Sequence, residues 1–282
     1  MFERFFNMTA TPFTRDVPPE TCYQSPAGSE VLGRLVYAAQ RQWFAVVTGD
    51  CGVGKSTTIR RLTATLDSAT YKVLYVADSK LTPRHFYKGL LEQLGYETKF
   101  YRGDAKRQLH REIEILRGVH GLHPVVVVDE AHLLDREMLE EVRFLLNVQM
   151  DSQSPLALIL VGQTELWDRL SLQAYAAIRQ RIDLQCKLGH WDRAEVAGYI
   201  DAHLRYAGVD HALFADPAID AIFHYSGGTA RLINKACTHS LLYAAQNNHR
   251  LVDETIVMRV IKGNWPNGCA RTLGLSQKVG RQ

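Results

Sequence analysis

An α/β fold, with a five-stranded parallel sheet flanked by helices and a small all-helical domain after it, is what this sequence predicts. Three observations predict it. Apolar, β-branched runs such as Pro124-Val125-Val126-Val127-Val128 alternate with stretches of helical periodicity. One run, Phe44-Ala45-Val46-Val47-Thr48, leads into the glycine-rich stretch 49–56, which opens a helix. From about Asp192 the pattern turns purely helical.

Each element follows from its own residues. Residues 1–28, rich in Phe, Pro and Thr, read as an extended arm wrapping the core. Val31, Leu32, Leu35, Val36 and Ala39 recur at helical spacing and predict a helix over 30–42. Tyr71-Lys-Val-Leu-Tyr-Val-Ala reads as a buried strand, followed by helices near 82–94, where Gly95 supplies the stop signal, and 104–118. The unbroken valine run suits a parallel strand buried on both faces. A helix from about Arg136 to Gln149, a strand over 156–161, a helix near 165–180 and a short strand over 182–186 complete the sheet. Helices follow near 192–207, 216–225, 229–247 and 253–261. The division is therefore an arm (1–28), a sheet-bearing core (29–190), a helical lid (191–262) and a flexible polar tail (263–282).

The stretch Gly49-Asp50-Cys51-Gly52-Val53-Gly54-Lys55-Ser56 fits G-x-x-x-x-G-K-[ST] between a strand and a helix. Glycines allow a sharp turn that aims backbone N–H groups at phosphate oxygens, and the helix start adds its positive dipole end. Lys55 is placed to reach β- and γ-phosphates and Ser56 to hold Mg²⁺, with Thr57 completing the nucleotide-binding set. The ligand this implies is ATP with Mg²⁺. The valine run ends in Asp129-Glu130. Asp129 suits the Mg²⁺ shell through water, and Glu130 suits the general base that polarises an attacking water. Asp129-Glu130-Ala131-His132 also spells the box of certain helicases, but those need two such domains and the chain has room for one.

Composition narrows the class further. The net charge is +3, and Arg271, Lys278 and Arg281 in the tail account for all of it, so bulk charge argues little for nucleic acid. Five scattered cysteines with no C-x-x-C pair read as a reducing compartment, not a disulfide scaffold or zinc site. No run approaches membrane-span length and the N-terminus lacks a signal-peptide core, so a cytoplasmic protein without membrane contact is expected.

Taken in order, the loop at 49–56, Val125–His132, Leu160-Val161-Gly162-Gln163, Ile178-Arg179-Gln180-Arg181-Ile182 and Gly227-Gly228-Thr229-Ala230-Arg231-Leu232-Ile233-Asn234 resemble the AAA+ ATPases over about residues 10–262. Within them the chain is similar to the ExeA-type branch, related to the TnsC, TniB and MuB transposition regulators and to origin-recognition ATPases. The resemblance implies that Gln163 is sensor 1, orienting the water, with Thr164 as a fallback. It implies that Arg231 is sensor 2, coupling the lid to the γ-phosphate. It also implies an arginine finger acting in trans at a neighbour's nucleotide, leaving open whether Arg179 or Arg181 supplies it. A trans finger implies ATP-favoured rings or filaments of the chain.

The resemblance offers more than one destination. ExeA-type secretion ATPases carry a membrane span and a peptidoglycan-binding region beyond this module, which reads against a secretion role here. Compact relatives work beside transposases, bound to double-stranded DNA. Lys80, Arg84, Lys88, Lys99, Arg102, Lys106, Arg107 and Arg111, interleaved with Phe86, Tyr87, Phe100 and Tyr101, follow the second strand in the region that faces DNA in that branch. A DNA-associated transposition regulator is therefore the first expectation, with a secretion ATPase or an ATP-switched scaffold as alternatives.

Overall fold

The computed structural model describes residues 2–77, 82–146 and 154–263 of the 282. Lys80, the end of the helix expected to reach Gln149, and the tail beyond Gly263 lie outside the described residues. The chain divides into two compact units. One is Pro26–Gly189; the other joins Met1–Ser25 to His190–Gln282. The first residues form one helical turn, α1 (Phe2–Phe5), which belongs to the second unit.

The unit Pro26–Gly189 carries α2 (Pro26–Arg41), β1 (Phe44–Gly49), α3 (Lys55–Thr65), β2 (Tyr71–Val76), α4 (Pro83–Gln93), α5 (Arg102–Gly118) and β3 (His123–Val128). After a 3-10 turn at Ala131–Leu133 come α6 (Arg136–Leu145), β4 (Ala157–Gly162), α7 (Thr164–Ser171), α8 (Ala176–Arg179) and β5 (Leu184–Leu188). All five strands are parallel, in the order β2-β3-β4-β1-β5. The predicted fold class is what the structure contains.

The valine run shows why the sheet forms. Val126 and Val128 join the cluster of buried side chains from α4, α5, α6 and α7, whereas Val125 and Val127 join the one from α2 and α3. All four are at most 1% exposed. Each contributes about 2 kcal/mol of apolar burial, which an alternating strand with one wet face would forgo on every second residue. The order also sets the chemistry. β3 and β1 flank β4, so the acidic pair after β3 and the glycine loop after β1 emerge on either side of Gln163 and Thr164 at the end of β4. Ligands of open α/β sheets gather at this carboxyl edge.

The helix expected over 165–180 is broken. α7 stops at Ser171, Leu172 is extended (φ −65°, ψ 148°), and a 3-10 turn at Gln173–Tyr175 precedes α8. Arg179 takes the carbonyls that the break frees: its Nη1 donates to Leu170 O at 3.1 Å and to Ser171 O at 2.5 Å. A cation across the last carbonyls also suits the negative end of the helix dipole.

The second unit packs α9 (Arg193–Tyr206), α10 (Asp216–Ser226), α11 (Ala230–Gln246) and α12 (Glu254–Ile261) around one core. Phe2, Phe6 and Phe13 are buried in that core with Ile200, Ile222, Ile233 and Val257. The N-terminal residues therefore pack on the helical unit, and the phenylalanines pay for their ordering with apolar burial. Asp192 caps α9 through a reciprocal box with Glu195. Gly227 and Gly228, both at positive φ, turn the chain from α10 into α11. At Gly228 only glycine fits: a Cβ would lie 1.9 Å from Trp191 O.

Candidate nucleotide site

The glycine loop adopts the conformation its sequence demands. Gly52 (φ 88°) and Gly54 (φ 102°) sit in the left-handed region, and the backbone closes onto the start of α3. Gly54 caps α3 without any side-chain hydrogen bond and the first turn of α3 holds no acidic residue, so the first N–H groups of the helix remain to be offered to an anion. Lys55 is buried at 9% exposure, and its Nζ donates to Gly49 O at 2.7 Å and Asp50 O at 2.8 Å. Burial holds the ammonium below the usual lysine range, and Cys51, Glu130, Asp129 and Asp50 act in the opposite direction. A cation held by two carbonyls, in a pocket that penalises its charge, is ready to trade those partners for phosphate oxygens. Ser56 is exposed in the first turn of α3, with Thr57 beside it.

Across β4, Asp129 is 6% exposed at the end of β3. Its Oδ1 accepts from Glu130 N at 2.8 Å and its Oδ2 from the phenol of Tyr75, on the edge strand β2, at 2.7 Å. Burial first, and then the bond to this carboxylate, push the Tyr75 phenol far above its ordinary value. Glu130 follows with φ 52°, a strained turn for a residue with a side chain, and that side chain is half exposed. His132 lies between the two candidate water-handling residues. Its Nε2 is 3.0 Å from Gln163 Nε2 and its Nδ1 is 3.5 Å from Glu130 Oε2. The imidazole thus bridges Gln163 on its Nε2 side and Glu130 on its Nδ1 side. Thr164 turns the other way and donates to Asp50 Oδ1 at 3.1 Å. The end of β4 thus touches the glycine loop on one side and the acidic turn on the other.

These residues fit a magnesium nucleotide: an uncapped helix start and a buried lysine for phosphates, a hydroxyl at Ser56 and a buried carboxylate at Asp129 for the metal shell. The remaining candidates stand on other elements. Arg179 and Arg181 precede β5, and Arg179 is engaged with the end of α7. Arg231 is exposed in the first turn of α11, in the helical unit.

Residues 38–170 match the family described as AAA domain. The chain carries an AAA domain. Over 283 aligned positions it is 30% identical to General secretion pathway protein A of Aeromonas hydrophila, covering 95% of this chain. The match takes in 51% of that relative, so the chain spans about half the length of the curated protein it resembles. Among solved structures, Cdc6p from Pyrobaculum aerophilum aligns with TM-score 0.64 at 16% identity, covering 85% of this chain and 67% of that one. The Aeropyrum pernix ORC1 protein in complex with DNA aligns with TM-score 0.66 at 15% identity, covering 92% and 72%. At such identities these two share the fold of the AAA domain.

The sequence missed Tyr75 and gave His132 no role beyond a motif letter. Tyr75 was findable only from strand order: it pairs in register with Val127, two residues before Asp129, and nothing local says that β2 lies beside β3.

The AAA domain also sorts the basic cluster. Phe86 and Tyr87 are fully buried and cannot stack on anything from outside. Arg102 and Lys106 both pair with Glu141 of α6, which is 4% exposed and also accepts from the Tyr87 phenol. Arg107 pairs with Asp104. On the outer surface, Phe100 and Tyr101 are 69% and 71% exposed, and the Arg84 guanidinium stacks on Phe100 at 4.5 Å. Arg84, Lys88, Lys99 and Phe100 line one open groove together with Glu92 and Glu97.

Proposed function

We propose that this chain binds ATP with Mg²⁺, hydrolyses it, and uses ATP to assemble copies of itself on double-stranded DNA as a regulator working beside a transposase. One observation carries the ATPase reading: buried Lys55 and buried Asp129 face a common edge of the sheet with Glu130 beside them, each held by partners it can share or exchange. Lys55 takes the β- and γ-phosphates while the first turn of α3, with Ser56 and Thr57, receives the phosphate chain. Ser56 and, through water, Asp129 hold Mg²⁺, which neutralises phosphate charge when bound. Glu130 accepts a proton from the attacking water, and Gln163 acts on it through His132. Arg179 or Arg181 supplies the finger in trans, and Arg179 also donates to the end of α7 in its own subunit. Arg231 takes the γ-phosphate-sensing role.

The DNA reading rests on the exposed Arg84, Lys88, Lys99, Phe100 and Tyr101 surface, a combination suited to a phosphate backbone. A role in a secretion pathway is the second reading, favoured by the 30% identity to a protein of that name. Fluorescence polarisation of labelled duplex DNA with ATP, ADP or no nucleotide, repeated at rising salt, separates them. ATP-dependent, salt-sensitive binding is expected. Assembly with ATP but no DNA affinity removes the DNA reading and leaves the secretion one. Glu130→Gln should lower turnover about 10²- to 10⁴-fold while keeping ATP-bound assemblies intact. Unchanged hydrolysis would show that the base has been misassigned.

A further inference from the structure

We infer that Tyr75 is a positioning residue for the metal-binding carboxylate, an inference that rests on the ATPase reading above. Three observations converge on it. The phenol O–H donates to Asp129 Oδ2 at 2.7 Å, from a neighbouring strand and not from the turn that carries the carboxylate. The opposite oxygen takes Glu130 N–H at 2.8 Å, so the carboxylate plane is fixed by two donors at once. Tyr75 is itself fixed. Its N–H donates to Gln93 Oε1 and its carbonyl accepts from Gln93 Nε2, both at 2.9 Å, so α4 holds the backbone that aims the phenol.

The consequence follows from carboxylate chemistry. Each oxygen can accept two hydrogen bonds, so both keep capacity for a metal-bound water after Tyr75 and Glu130 N–H have bonded. Without the phenol, Asp129 keeps its charge and its burial but loses one of the two donors that orient it. Supports of this kind are worth 10- to 100-fold in metal affinity. The phenol's bond is to the metal-binding carboxylate, so its effect should be confined to the metal.

The test is Tyr75→Phe, which removes one oxygen and keeps the ring. A fluorescent, non-hydrolysable ATP analogue is titrated into the full chain in EDTA, and then at fixed analogue with rising Mg²⁺. The expected result is about a tenfold rise in the Mg²⁺ concentration giving half-maximal enhancement, with affinity in EDTA unchanged. Gln93→Leu should shift the same midpoint in the same direction by a smaller factor. Equal weakening with and without Mg²⁺ would mean that Tyr75 merely supports the pocket, and would overturn the inference. An unshifted Mg²⁺ midpoint would overturn it as well. Wild-type binding indifferent to Mg²⁺ would instead remove the ATPase reading, and this inference with it.

Discussion

His203 ties the stability of the helical unit to pH. It is 4% exposed on α9, accepts the Phe13 N–H on Nδ1 at 3.1 Å, and packs against the rings of Phe13 and Tyr199 at 5.2 and 4.2 Å. Accepting on Nδ1 requires the neutral ring. Burial is the cause that lowers its pKa from 6.5 to about 4. The folded value lies below the unfolded one, so the unfolded chain takes up the proton first. Stability from this group is complete above pH 6.5, falls as the pH drops, and is gone near pH 4. A shift of this size is worth about 3 kcal/mol in full and about 2 kcal/mol by pH 5. Urea titrations between pH 7.5 and 4.5, read by hydrogen exchange in peptides from α9, follow this unit separately. His203→Gln keeps an acceptor for Phe13 but cannot titrate, so it should be weaker at pH 7.5 and lose less on acidification. Parallel losses in both proteins would refute the assignment.

Two further outcomes are expected. Gly228→Ala would force a Cβ to within 1.9 Å of Trp191 O at φ +74°, so the turn must open, at a cost of at least about 3 kcal/mol. Hydrogen exchange in α11 should accelerate, and unchanged protection would contradict the close approach. Glu141→Ala should cost about 2 kcal/mol and lower the melting midpoint by several degrees, because the Tyr87 phenol loses its buried acceptor while half-exposed Arg102 can turn to water. Burial raises the Glu141 carboxyl, but bonds from Tyr87, Arg102 and Lys106 outweigh it and hold it below its ordinary 4.5. The stability it supplies is therefore present above pH 4.5 and lost on further acidification, and a melting midpoint insensitive to pH below 4.5 would count against it.

What could be read from the sequence was what is local. The glycine loop, the acidic pair and the buried strands each occupy a few adjacent residues whose types dictate backbone shape, so their conformation and place in the sheet were legible before any coordinates. What failed was non-local. The break at Leu172 depends on Arg179, seven residues on, reaching back to carbonyls that helical periodicity treats as satisfied. Arg102 and Lys106 read as a DNA-facing charge until Glu141, more than thirty residues later, turned out to be buried beneath them. The N-terminal phenylalanines announced burial without an address, because apolar content fixes how much surface must be covered and says nothing about which core covers it.

Gln93 has a consequence for how copies of this chain can meet. β2 borders the sheet, and an outward-facing residue there would leave an N–H and a carbonyl open to any passing extended segment. The Gln93 carboxamide satisfies both at Tyr75, standing in for one residue of a sixth strand. A foreign strand must first displace that amide before it can add to this border. Association at this end of the sheet is steered away from backbone zippering, the open-ended mode that leads to aggregates, and toward side-chain surfaces.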